Sequence, residues 1–101
     1  MTEGPKILTA ALRQQFDAVG ERLVLLRLSL GYKKAVDFAR ALGLEPHTYR
    51  MYERSANMPT HEALGRIKEL TGASTDWVLY GDTGNLPVSL YKMMYEASEA
   101  E

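Results

Sequence analysis

The sequence predicts an all-α protein. Apolar residues recur at steps of three and four, no segment alternates like a strand, and glycine or proline stands at most of the points where the periodicity breaks. At 101 residues and 46% hydrophobic, the chain can fill one compact core and not two. It has no cysteine, so disulfides and thiolate metal sites are excluded and stability rests on packing.

Taken in order, Leu8, Leu12, Phe16, Val19, Leu23, Leu26 and Leu30 share one helical face. Asp17 as an N-cap and Gly20 as a weak point divide this run into a leading helix near 8–15 and a main helix near 18–30, ended by Gly31; one bent helix is the alternative. Residues 34–42 place Ala35, Phe38, Ala39 and Leu42 together, with Gly43 where a left-handed C-terminal cap belongs. Pro46 suits a first helical turn and Glu45 the positive end of its dipole, so a third helix runs from Pro46 to about Arg54. After "SANMP", Thr60 and Glu62 open a fourth helix with Ala63, Leu64, Ile67 and Leu70 inward and Gly72 as its stop. Ser74 caps a short fifth, "TDWVLYG", closed by Gly81. Beyond the turn-rich "GDTGN", the tail carries Val88, Leu90, Tyr91, Met94 and Tyr95 on a partly apolar face, which can fold back on its own domain or pack against a second subunit.

Charge is divided along the chain. Residues 1–54 hold nine Lys/Arg against six Asp/Glu, net +3, and residues 55–101 hold three against seven, net −4, within an overall −1. A basic side facing nucleic acid and an acidic remainder fit this split, as does ordinary solvated surface. Apolar runs such as Leu23 to Leu26 fall far short of the roughly 20 residues that cross a bilayer, and the N-terminus has no signal-peptide pattern, so a soluble, cytoplasmic protein is expected.

The motifs of catalysis are missing. His47 and His61 have no HExxH spacing, and there is no Gly-rich phosphate loop or activated nucleophile, so no enzyme, cofactor or metal is expected. The remaining candidate is the helix pair around Gly43. On a wheel of about 100° per residue, Tyr49 and Tyr52 fall on one side of the third helix and His47, Arg50, Met51 and Arg54 on the other. Tyrosines behind, with donors and an apolar contact in front, meet the geometric needs of a helix that reads DNA. A solvated face on an ordinary bundle helix gives the same wheel.

These residues resemble the phage-repressor-like Xre/Cro helix-turn-helix family. "RLSLG" at 27–31 is similar to the end of its first helix, "DFARALGL" at 37–44 to its second helix and turn, "YERSANMP" at 52–59 to the exit of its recognition helix, and "GASTDWVLYG" at 72–81 to its fifth helix. The resemblance covers about Glu21 to Gly81, with one extra residue in "GYKKA". It implies a five-helix lambda-repressor-like domain that binds double-stranded operator DNA as a homodimer and regulates transcription as a repressor, in a bacterial or phage setting. The implied divisions are an N-terminal helical extension at 1–16, the DNA-binding domain at 17–81, and a linker with an amphipathic tail at 82–101. The alternative, on the same scaffold, is a protein-interaction module or antitoxin-like partner.

The outward side of the wheel and the resemblance together make His47, Arg50 and Met51 the base-reading residues, with Arg50 supplied by the wheel. The same reading assigns Lys33, Lys34, Thr48, Arg54 and Asn57 to the DNA backbone or groove edge. Arg27, Ala39, Gly43, Tyr49, Tyr52 and Glu53 become structural, with Arg27 paired to Glu53. The expected dimer contact joins Trp77, Val78 and Tyr80 to Leu90, Tyr91 and Met94, and the tail can also engage a protein partner. The chain departs from the family pattern where Glu45 replaces a hydroxyl cap, where Pro46, His47 and Met51 stand at the usual base-reading positions, where Lys34 and Ala35 replace a capping Ser and a phosphate-binding Gln, and where the loop after the recognition helix, often basic, is "ANM".

Overall fold

A computed structural model describes residues 18–96. The expected leading helix near 8–15, the extension at 1–16 and the Asp17 cap lie outside the described residues. Within them the chain is all-helical, with no strand. Helix α1 covers 18–29, α2 Ala35–Leu42, α3 Pro46–Glu53, α4 His61–Thr71, α5 Thr75–Tyr80 and α6 Val88–Tyr91. The last runs on into one π-helical turn, Lys92–Glu96.

Local chemistry explains the boundaries. Lys34 is extended, at φ −109° and ψ 134°, and sits before α2 as its cap instead of as its first residue. At the other end Gly43 takes φ 74°, its amide donates to the Arg40 carbonyl at 3.0 Å, and the Leu44 amide donates to that of Ala39 at 2.8 Å. Those are the paired hydrogen bonds of a Schellman stop, and a side chain here would carry left-handed strain. The Thr60 and Ser74 hydroxyls cap α4 and α5, accepting from the Ala63 and Trp77 amides at 3.1 Å each.

One apolar core joins all six helices. Val19, Leu23 and Leu26 of α1 meet Phe38, Ala39 and Leu42 of α2, Tyr49 and Tyr52 of α3, and Ala63, Leu64 and Ile67 of α4. Trp77 and Val78 of α5, then Leu86, Leu90 and Met94, complete it. The fully buried Ala39 supplies a small residue on α2, which packs against α3 and α4. Gly20 does the same for α1, because a Cβ there would run into the Glu53 carbonyl.

Two expectations change. Leu70 is 47% exposed, because at the last turn of α4 it stands at the edge of the core, over a shallow groove beside Ala41 and Leu42. The tail folds back on its own domain. Of the residues expected at a dimer contact, Trp77, Val78, Leu90 and Met94 are fully or almost fully buried against this chain's own core. The physical reason is a lock between α5 and the tail: the Trp77 indole Nε1–H donates to the Tyr95 hydroxyl at 2.8 Å, and the Tyr91 and Tyr95 rings pack at 4.9 Å. Tyr80 and Tyr91 stay on the surface, at 49% and 39% exposure.

Candidate nucleic-acid interface

Helix α3 has one face fixed and one face open. Tyr49 and Tyr52 are buried behind it, and an aromatic series runs from Tyr32 to Phe38 at 5.1 Å, to Tyr49 at 5.6 Å and to Tyr52 at 6.5 Å. The two later contacts are edge-on, the arrangement that aromatic quadrupoles favour. This series ties the loop after α1, α2 and α3 into one unit. His47, Arg50 and Arg54 stand exposed on the open side, and Met51 is half-buried at its margin. Asn57, beyond the end of α3, is exposed, as are Lys33 and Lys34 before α2.

The expected ion pair is present. Arg27 Nε donates to Glu53 Oε2 at 2.7 Å and Nη2 to Oε1 at 3.3 Å, with each side chain about nine-tenths buried. The hydrogen bond to Glu53 holds the guanidinium's proton more tightly than usual against the opposing cost of burial. The same guanidinium also donates through Nη1 to the carbonyls of Tyr32 at 3.0 Å and Lys33 at 2.7 Å. Close by, burial first and Glu53 second push ionisation of the Tyr49 phenol far above its ordinary range, yet its hydroxyl has no hydrogen-bond partner among the described residues.

The N-terminus of α3 is closed by its own carboxylate. Glu45 Oε1 accepts from the His47 amide at 3.1 Å, and Oε2 accepts from the Thr48 amide at 2.8 Å and the Thr48 hydroxyl at 3.0 Å. The Thr48 amide contributes most, followed by that of His47, to holding the Glu45 carboxyl below the usual range. Thr48 is therefore placed differently from the expectation. Its hydroxyl proton is given to the cap and does not face outward as a donor. A self-capped helix end also offers less positive potential to an external anion than an open one.

Some positioning groups carry no sequence pattern that would have marked them. Arg22 donates from Nε to the Val78 carbonyl at 2.8 Å and from Nη2 to that of Leu79 at 2.9 Å, stapling α1 to the end of α5. Ser55, at φ 56°, accepts from the Gly20 amide at 3.1 Å and so joins the exit of α3 to α1. Both contacts span more than 30 residues, and no local signal predicts them.

Among the described residues no three His, Asp or Glu side chains group as metal ligands, and no helix is long and apolar enough to cross a membrane. No family model matches the chain, and neither curated proteins nor solved structures provide a match.

Proposed function

We propose that the protein is a sequence-specific DNA-binding regulator of transcription, acting as a repressor, on a lambda-repressor-like helix-turn-helix domain formed by α1 to α5. The observation that carries this reading is the open face of α3, with exposed His47, Arg50 and Arg54 in front of a buried tyrosine pair and an ion-paired support. Laid in a major groove, α3 brings Arg50 to guanine O6 and N7, with His47 beside it and Met51 packing on a thymine methyl. Lys33, Lys34, Arg54 and Asn57 contact phosphate or the groove edge, which fixes register without reading sequence. Few direct contacts mean modest specificity.

Duplex binding titrated against salt tests this, because phosphate neutralisation makes log affinity fall steeply with log salt. Arg50→Ala should lose about 1 to 3 kcal/mol on a selected duplex and little on a scrambled one. Lys34→Ala should weaken both alike and flatten the salt slope. Equal losses for Arg50→Ala on the two duplexes make this arginine another phosphate anchor.

The reading includes a homodimer, which presents two recognition helices about one turn of B-DNA apart. With the core members removed, its contact reduces to Tyr80 and Tyr91, joined by Val88, which is 70% exposed. Val88→Glu should lower the concentration-dependent mass while leaving the fold intact. The same exposed apolar residues favour the second reading, a protein-interaction module, and duplex binding with no salt dependence would support it.

A further inference from the structure

Arg27 does more than neutralise Glu53. Its four hydrogen bonds go to three places: both Glu53 oxygens at the end of α3, and the backbone carbonyls of Tyr32 and Lys33 in the loop before α2. That loop carries Lys33 and Lys34, both exposed and neither in an ion pair among the described residues. Lys34 is the N-cap residue of α2, and its ammonium group, which has donors only, cannot accept from the first N–H groups of that helix. The loop is also held by the Tyr32 amide, which donates to the Arg27 carbonyl at 3.1 Å, by the Asp37 and Phe38 amides, which donate to the Lys34 carbonyl at 3.2 and 3.3 Å, and by the Tyr32 ring packed on Phe38. A planar guanidinium offers donors in several fixed directions, whereas an ammonium group is a compact point charge and cannot reproduce that fork.

We infer that Arg27 is a positioning residue of the duplex interface: by clasping the Tyr32 and Lys33 carbonyls while paired to Glu53, it fixes the spacing between the lysine pair and α3. This rests on the proposed function. Phosphate contacts set register only if they keep a constant distance from the side chains that meet the bases. Here one buried side chain bonds directly to both ends of that distance. A buried guanidinium must place its remaining N–H donors somewhere, and here they go to the loop that carries the two lysines.

The test is the salt slope of binding to a selected duplex, measured for folded variants at one temperature. Arg27→Lys keeps a charge for Glu53 and gives up the clasp. It should flatten the slope as much as the Lys33→Ala/Lys34→Ala pair does, by about 0.9 for each phosphate that is no longer neutralised. Adding the two lysine changes to Arg27→Lys should then flatten it no further. Glu53→Gln, which leaves the carbonyls with Arg27, should keep the wild-type slope. If Arg27→Lys does not fold, Arg27→Met with Glu53→Gln removes both charges together, leaves no buried charge unpaired, and should flatten the slope equally. A wild-type slope in the Arg27 variants, or lysine effects that add to theirs in full, overturns the inference while leaving the proposed function standing. A wild-type protein that binds no duplex removes the proposed function, and this inference with it.

Discussion

The α1–α3 end and the α4–α6 end are held together by different chemistry. In the first, polar groups are buried deliberately: Arg27 and Glu53 pair behind α3, the Tyr49 hydroxyl lies beside them, and Ser55 takes the Gly20 amide. In the second, the large buried groups are Trp77, Val78, Leu86, Leu90 and Met94, with an indole-to-phenol hydrogen bond, the buried Ser74 cap and the Arg22 staple to the Val78 and Leu79 carbonyls beside them. Directional contacts hold a surface at fixed geometry, whereas apolar packing is tolerant of small shifts. The end that presents Lys33, Lys34, His47, Arg50 and Arg54 is the one braced by a buried ion pair, the kind of rigid support that the proposed recognition surface would use.

Substitutions at the two ends sharpen that contrast. Met94→Ala at the apolar end should cost about 2 to 5 kcal/mol in chemical denaturation, since a fully buried side chain leaves a cavity. Removing residues after about position 85 would strip Leu86 and Leu90 as well, and would test folding more than association. At the polar end Glu53→Ala should cost about 3 kcal/mol, because Arg27 is left buried and unpaired. If Met94→Ala proves harmless, the tail is not the core element its burial describes.

Gly20→Ala should cost about 1 to 3 kcal/mol, as an added methyl group must displace the Glu53 carbonyl. A thermal melt indistinguishable from wild type would show that α1 and the end of α3 can part without penalty.

Acid should act locally on α3. The folded-state pKa of Glu45 is depressed, so its cap is fully present above the ordinary glutamate pKa and is lost as pH falls through the lower, folded value. The amide shifts of His47 and Thr48 should titrate in that window in the wild type and stay flat in Glu45→Gln. The smallest effect belongs to Tyr49→Phe. Its hydroxyl is buried with no hydrogen-bond partner among the described residues, so denaturant stability should stay within about 0.5 kcal/mol of wild type or rise. A drop of more than about 1 kcal/mol would reveal a hydrogen bond, direct or through water, that the geometry lacks.

The helices were legible in the sequence because their signals are local: apolar spacing, Gly43 and Gly72 as stops, Thr60 and Ser74 as caps. The open face of α3 was legible for the same reason, since a wheel over Pro46–Glu53 separates Tyr49 and Tyr52 from Arg50 and His47. Thr48 was harder. A hydroxyl near a helix start reads as an outward donor until a neighbouring carboxylate is seen to accept its proton.

What the sequence alone determined is thus the all-α class, the helix order and the two faces of α3, each set by interactions within a few residues. What only the tertiary structure decided is the direction of the tail and the reach of Arg27. An amphipathic face specifies that it must be covered and not by what, and Trp77 with Tyr95 supplied the cover from within the chain. The second pair of Arg27 hydrogen bonds goes to carbonyls, which every residue carries and no pattern of side chains can mark.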